Sequence, residues 1–342
     1  MTSRLVRLIA YSLCAGLLAG TASAADAEWL GLIPASITVE GLNVERLRAS
    51  QLGQTIFSAL EAGAKKSEDA STHAEMEILR GTREVVLAVR QIGRPTRALL
   101  LLSGSFNFAD LQTIARTIRL SSAVVANVTV FTEGADFSLA LVDGSLIVAG
   151  DPQTVRDVVA PRGPAERLDP AMAAKVRTLR SSYDFWQLSN GSLAPLALEA
   201  LGTSSSELLR SRLFNSVREI RGGIDFGPKL HAAIEVVTGN GQDAIGLAKV
   251  LRTAHLDDAT PGPIADLTAL LVQSLDVRAE GDTVKIGLEI PEAELVKLFS
   301  IGAEARQTPP NTDVVIQSEP DNSGALAAPS SGDTTVVTLP AP

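Results

Sequence analysis

The chain has 342 residues, a formal net charge of −9, 45% hydrophobic residues and only 4% aromatic residues. An acidic chain does not bind nucleic-acid phosphates or anionic lipid surfaces by bulk electrostatics, and so few aromatic rings leave little surface on which bases or sugars could stack. The composition therefore predicts a protein with a large aliphatic core that does not bind nucleic acid.

The first 24 residues have the features of an export signal. Arg4 and Arg7 give a positive start, Leu8 to Leu18 is apolar, and Ala22-Ser23-Ala24 offers a small-residue cleavage site. The apolar stretch is short and interrupted, so we predict a cleaved signal peptide over 1–24, no stable membrane insertion afterwards, and a periplasmic or extracellular location. The only cysteine, Cys14, would leave with the signal, so the mature protein would depend on packing rather than on disulfides.

From Ser36 the chain alternates β patterns with amphipathic helical patterns. Asn43 follows a strand pattern and is a candidate N-cap for one long helix, and polar Ser67 to Ser71 is predicted to close this first segment. Two β runs, Glu84 to Ile92 and Arg97 to Ser105, are joined by the turn sequence GRPT and are predicted to pair as a hairpin.

A second helix and a group of strands complete the first unit. Asn107 is the candidate cap of the helix, and three β runs follow it: Val124 to Thr132, Asp136 to Val142 and Ser145 to Gly150. Asp143-Gly144 predicts a two-residue hairpin turn, and Asp151-Pro152 predicts the start of another helix.

The second half of the chain resembles the first in pattern. The helix pattern DLQTIARTI at Asp110 to Ile118 matches DAIGLAKVL at Asp243 to Leu251, and Arg83-Glu84 matches Arg218-Glu219 at nearly the same offset. Similar segments in the same order predict an internal duplication. The predicted fold class is therefore α+β, with two tandem repeats of strand-helix-hairpin-helix-strands-helix, antiparallel sheets and helices packed on one face. The predicted boundaries are 25–165 for the first repeat, 166–303 for the second, and 304–342 for a disordered tail rich in Pro, Ser, Thr and Asp.

Several of the few aromatic residues lie together between Ser181 and Ser192. The duplication places this stretch at the opening strand of the second repeat, with Trp186 and Leu188 on one face and Tyr183 and Phe185 on the other. Aromatic residues in strands usually pack in the core, so we favour a core strand over a ligand platform. Trp186, Tyr183 and Phe185 are nevertheless the weak candidates for ligand binding.

No motif for catalysis or for a cofactor stands out. The histidines lie in a polar connector (His73), a strand (His231) and a loop (His255), no serine has a nucleophile-elbow pattern, and nothing has the spacing of a metal site. Gly222 and Gly223 lie in a strand pattern, where backbone could approach a ligand, although a β-bulge is the more common reason for such glycines. We therefore predict no catalytic residues, no metal and no cofactor.

The segment from Ile33 to Ile56 carries a strand, an Asn and a helix with the pattern L-x-x-S-x-x-G, formed by Leu47, Ser50 and Gly53. It resembles a loose group of exported bacterial proteins of unknown function. The resemblance extends over roughly residues 32–299 and implies an envelope location and repeated α+β units, without implying any catalytic residue.

Three functions are compatible with these patterns. The first is a non-catalytic envelope protein that acts as a binding or scaffold module for an unidentified envelope protein. The second is a carrier or sensor of a hydrophobic small molecule, held in a cleft between the two repeats. The third, an enzyme, would need Arg83, Glu84, Arg218 and Glu219 to converge, and ion pairing is the simpler role for these residues.

Overall fold

Twelve antiparallel strands form one continuous sheet in the computed structural model, which describes residues 28–91, 97–191, 212–253 and 274–297. The strands are β1 Thr38–Asn43, β2 Thr82–Gln91, β3 Arg97–Gly104, β4 Ser121–Val125, β5 Val128–Glu133, β6 Phe137–Val142, β7 Leu146–Gly150, β8 Phe185–Asn190, β9 Glu219–Asp225, β10 Lys229–Val237, β11 Leu275–Glu280 and β12 Thr283–Pro291. The helices are α1 Val44–Ala49, α2 Gln51–Lys65, α3 Ala70–Gly81, α4 Phe108–Thr117, α5 Pro152–Val159, α6 Pro170–Ser182, α7 Arg212–Asn215 and α8 Gly241–Thr253, with a 3-10 helix at Glu28–Leu32 and a helical turn at 292–297. The predicted signal peptide, the GRPT turn, His255 and the predicted tail lie outside the described residues.

The strands follow the order β11-β12-β10-β9-β8-β1-β2-β3-β7-β6-β5-β4 across the sheet. The predicted α+β class with antiparallel pairing is confirmed, and β1 pairs with β8, so that the two halves of the chain share one sheet. The predicted boundary at 165/166 falls between α5 and α6. On each side of the β1–β8 pair, the next two strands along the chain, β2 and β3 or β9 and β10, follow in the same order. This order is what a duplicated unit would produce, and the duplication itself stays a prediction.

Helices cover both faces of the sheet rather than one. Val86 and Ala88 of β2 belong to a hydrophobic cluster that includes residues of α5 and α6, and we call this side the α6 face. Val85, the neighbour of Val86, belongs to a second cluster with residues of α1, α2 and α4, and a third cluster contains Leu247 of α8. We call this side the α8 face. Alternating side chains of a strand point to opposite faces, so a central strand that is apolar at successive positions needs helices on both sides.

The long helix predicted after Asn43 is interrupted at Ser50. Asn43 caps α1 through its side-chain oxygen, as predicted, but Ser50 adopts an extended conformation and its hydroxyl accepts a hydrogen bond from Gly53 N at 2.9 Å. A Cβ atom at Gly53 would lie 1.6 Å from Leu47 O, so only glycine fits there. The L-x-x-S-x-x-G pattern is thus a helix stop followed immediately by a new N-cap.

Two further local features differ from the prediction. The β run predicted from Val124 to Thr132 is divided between β4 and β5 by a turn at Ala126 and Asn127, both of which have positive φ. Helix α3 was not predicted, because its sequence is polar and begins inside the segment interpreted as a connector. The hairpin turn at Asp143-Gly144 is confirmed, and both residues have positive φ as this turn type requires.

Candidate functional site

A row of side chains crosses the α8 face near the middle of the sheet, and we call it the central row. Its members lie directly opposite one another on neighbouring strands: Leu100 (β3), Leu87 (β2), Glu40 (β1), Gln187 (β8), Gly222 (β9), Ile234 (β10) and Ile286 (β12). Glu40 is two residues before Leu42, which packs among the helices of the α8 face, so strand alternation places the row on that face.

The central row has one packed part of the core along its whole length and a second along only part of it. On the first side are side chains such as Leu42 and Ala232, which pack with helices α1, α2 and α4. On the second side, Val236 and Val284 pack with α8, whereas Thr38 and Ser189 lie beside the polar pair of the row. The side chains of the row are half-buried, except that of Ile234, which is 37% exposed. The row is therefore a largely aliphatic strip that stays partly accessible beside the buried clusters.

Two polar side chains occupy the middle of this strip, at the point where the two halves of the chain meet. Burial raises the pKa of the Glu40 carboxyl above its ordinary value of 4.5. The nearby hydroxyls of Thr38 and Ser189 hydrogen-bond to each other at 2.8 Å. Within the described residues, the side chains of Glu40 and Gln187 have no hydrogen-bond partner and no ion pair. Unpartnered polar groups in a half-buried apolar strip are characteristic of binding sites, because they reduce folding stability unless a ligand uses them.

The aromatic residues predicted as weak ligand candidates lie beside the central row rather than in it. Trp186 is 1% exposed and points to the α6 face, where its ring lies over Gly41. It is a core residue in a strand, as favoured from the sequence. Tyr183 packs with the cluster of Trp186, whereas Phe185 packs with the cluster on the opposite face. The prediction that Tyr183 and Phe185 share a face is wrong, because Tyr183 is the C-cap of α6 and precedes the regular strand.

The two predicted glycines have different surroundings. Gly222 belongs to the central row, and a Cβ atom there would lie 2.1 Å from Ala233 O on the neighbouring strand. A Cβ atom at Gly223 would lie 2.3 Å from Cγ of Tyr183, whose ring covers that position. Pairing of β9 with both neighbours continues in register through these residues, so the β-bulge interpretation is wrong.

Sequence reasoning missed Glu40 and Gln187. Each is a long polar side chain in the middle of a predicted opening strand, Thr38–Asn43 or Phe185–Asn190, and that position is the signal that could have identified them. Neither position, taken alone, shows which residue lies opposite it. The pairing of β1 with β8, across some 150 residues of chain, is what brings the two together.

The repeated Arg-Glu pairs have a structural role. Glu84 accepts hydrogen bonds from Arg180 Nε at 2.7 Å, from Arg180 Nη2 at 3.0 Å and from Trp29 Nε1 at 3.1 Å. Glu219 pairs with Lys175 and, at 3.0 Å, with Arg221. Lys175 and Arg180 both belong to α6, so this helix is bound by ion pairs to β2 in one half and to β9 in the other. Arg83 and Arg218 take no part in these pairs.

Two of the three histidines lie within the described residues. His231 lies on the surface with Nδ1 3.9 Å from an Asp225 oxygen, and His73 lies on α3. Among residues 28–91, 97–191, 212–253 and 274–297 there is no group of His, Cys, Asp and Glu that could hold a metal ion. Within the same ranges, no helix is both long and apolar enough to cross a bilayer.

The fold and the central row define an α+β protein with one large antiparallel sheet and a half-exposed aliphatic strip across it. The sequence matches no family model and no curated protein. Among solved structures, crystal form III of TP0453 aligns with a TM-score of 0.50 over 82% of this chain and 100% of that chain, at 12% sequence identity. Crystal form IV of TP0453 gives a TM-score of 0.48 at 13% identity, over 81% of this chain and 100% of that one. At this identity the similarity to TP0453 is a similarity of fold.

Proposed function

We propose that this protein is a non-catalytic exported protein of the bacterial envelope that binds a hydrophobic small molecule along the central row. The observation that carries the proposal is the row itself, with leucine and isoleucine side chains that are incompletely buried and a polar pair at its centre. Ligand sites for small molecules are mostly apolar, with a few polar groups that fix orientation. The export features of residues 1–24 support the envelope location.

The position of the row also supports binding rather than simple loose packing. Between β9 and β12, apolar side chains on both sides of the row are buried in two distinct clusters, so well-packed residues border that part of the strip. Gly222, which lies opposite Gln187 on the next strand, has no side chain, so nothing projects from the strip at that position. A ligand lying there would cover Ile234, the most exposed of the apolar side chains in the row.

The first experiment measures binding of the fluorescent probe 1-N-phenylnaphthylamine to the mature protein, residues 25–342. Ile234→Thr keeps β-branching but removes apolar surface from the row, and we expect it to weaken probe binding by roughly fivefold, in line with ~0.8 kcal/mol per buried methylene. The matched control is Ile245→Thr on α8, which changes an isoleucine that is 56% exposed and not in the sheet. Equal effects of the two changes, or no binding by the unmodified protein, would reject the proposal.

Native mass spectrometry of the mature protein, isolated gently from its own cell envelope, measures the mass of any natural ligand that stays bound. A bound mass of small-molecule size that Ile234→Thr loses and Ile245→Thr retains would agree with the proposal. If the unmodified protein and both variants carry no bound molecule, that result would count against the proposal.

A second candidate function is the macromolecular binding or scaffold role, and strand β4 favours it. β4 is at one end of the sheet, it contains no charged residue or proline, and Val124 is 72% exposed. Sheet edges in soluble proteins are usually protected by charge, proline or a covering segment, and an unprotected edge can accept an extended strand from another protein.

The test of this second function compares envelope proteins retained by the unmodified protein, by Val124→Lys and by the control Ile245→Lys. A protein that is retained by the unmodified protein and by Ile245→Lys, and lost with Val124→Lys, would support strand addition at β4. The same retained proteins in all three samples would reject β4 as the binding edge. Deletion of 304–342 in the same assay tests whether the tail contributes.

A further inference from the structure

The pair formed by Glu40 and Gln187 limits the chemistry of the ligand. The two residues are direct partners across the central β1–β8 pair, so their side chains start next to each other on the α8 face. Glu40 can only accept hydrogen bonds when ionised, while Gln187 can both accept and donate. In the described residues neither side chain uses this capacity on another protein group.

Among the described residues, no positively charged group acts on Glu40. Along β1 its neighbours on the same face are Thr38 and Leu42, and across the strands it faces Leu87 and Gln187. The hydroxyl of Thr38 is already bonded to Ser189. A carboxylate that is partly removed from water is stabilised by a countercharge or by several hydrogen-bond donors, and the described part of the chain supplies neither to Glu40.

We propose that the central row selects an amphiphile that carries a protonated amine. This inference rests on the proposed function, and it specifies the ligand class for the same site. The ammonium group donates hydrogen bonds to the Glu40 carboxylate and to the side-chain carbonyl of Gln187. The alkyl chain extends over Gly222 towards Ile234 and Ile286.

The dimensions of the row suit such a ligand. Four strand-to-strand steps separate β1 from β12, which places Ile286 about 19 Å from Glu40 at ~4.8 Å per step. That distance accommodates a long alkyl chain. An ammonium supplies both the charge and the donors that Glu40 lacks, whereas a carboxylate head group would place two like charges together.

The test uses three probes with the same chain and different head groups: dodecylamine, dodecanol and dodecanoate. Each is titrated by calorimetry, below its micelle concentration at pH 7, into the mature protein, Glu40→Gln and Glu45→Gln. Glu40→Gln is nearly isosteric, and Glu45→Gln makes the same change in net charge at an exposed position of α1. A general attraction of amines to an acidic protein would therefore affect both variants equally.

We expect the unmodified protein to bind dodecylamine at least tenfold more tightly than dodecanol, and dodecanoate more weakly than either. Glu40→Gln should remove the preference for the amine and keep the affinity for dodecanol within twofold of that of the unmodified protein. Glu45→Gln should bind all three probes as the unmodified protein does. If amine and alcohol bind equally well to the unmodified protein, or if Glu45→Gln has the same effect as Glu40→Gln, selection by Glu40 is overturned while the proposed function stands. If none of the three probes binds, both proposals fail.

Discussion

The contacts of Glu84 predict that removing its side chain lowers the free energy of unfolding by a large amount. Glu84 is 8% exposed and accepts three hydrogen bonds, two of them from the guanidinium of Arg180, whose side chain is 23% exposed. Breaking a buried ion pair by removing one partner costs ~3–5 kcal/mol. Because Arg180 keeps some contact with water, we expect Glu84→Ala to lower the free energy of unfolding by about 3 kcal/mol.

The matched comparison is Glu219→Ala, at the corresponding position of the second half. Its partners Lys175 and Arg221 have side chains that are 43% and 36% exposed, and Arg221 retains a second partner in Glu235. Pairs with that exposure contribute at most about 1 kcal/mol each, so this change should cost about 1 kcal/mol. The two substitutions should therefore differ by about 2 kcal/mol, or roughly thirtyfold in the unfolding equilibrium.

The assay is urea unfolding followed by circular dichroism at 222 nm, because Trp29 contacts Glu84 and its fluorescence would respond locally. A double-mutant cycle of Glu84→Ala with Arg180→Ala isolates the pair, and we expect a coupling energy of about 2 kcal/mol. The reasoning is refuted if Glu84→Ala and Glu219→Ala cost the same, or if the coupling is below ~0.5 kcal/mol.

Three further predictions concern single positions. Glu40→Gln should stabilise the protein at pH 7 by ~1.4 kcal/mol for each unit by which the folded-state pKa exceeds the unfolded one. The pKa of Glu40 in the folded protein is raised above 4.5, so the folded protein favours the protonated carboxyl. The stability that comes from this protonated form is fully present below the unfolded pKa, and it is lost as the pH rises through the folded pKa. The advantage of Glu40→Gln in thermal melts should therefore disappear below pH 4.5, and a constant advantage at all pH values would contradict the assignment. Gly223→Ala should cost about 1–3 kcal/mol in urea unfolding, because the new methyl group would overlap the Tyr183 side chain and the backbone oxygen of Phe185, and an unchanged midpoint would contradict this close packing. Ser50→Ala should cost about 1 kcal/mol because the Gly53 amide loses its cap, and Ser50→Thr, which retains the hydroxyl, should restore most of that loss in the same assay.

Features that depend on neighbouring residues were predicted well from the sequence. Capping by Asn43, Asn107 and Asp151 is observed, and so is the turn at Asp143-Gly144. In each case the side chain or backbone conformation is determined within three or four residues, so the local sequence contains the whole cause.

Features that depend on distant contacts were not predictable in the same way. Helical periodicity continues through Ser50, and the break requires the specific approach of Leu47 O to Gly53 together with a hydrogen bond from Leu52 N to Glu292, which lies near the other end of the chain. The turn at Ala126-Asn127 contains no glycine and so lacks the usual signal.

The faces of the sheet and the candidate site belong to this second group. Alternation shows which side chains of one strand point the same way, but not which helix covers them, so helices on one face were predicted where both faces are covered. For the same reason Glu40 could not be related to Gln187 or Ile234 before the register of three strand pairs was known.

The pairing of β1 with β8 has a consequence for the order in which the chain can fold. Synthesis delivers the amino-terminal half first, and until residue 190 has arrived one edge of β1 has no partner strand. The same interval leaves Val39 and Val86 without Trp186, Leu188 and the helix that covers them. A fragment that stops at residue 165 would therefore present an open, apolar strand edge to its own copies, which is the arrangement that favours aggregation. Because joining β1 to β8 is a non-local step, we expect it to be the step at which the chain is most prone to self-association.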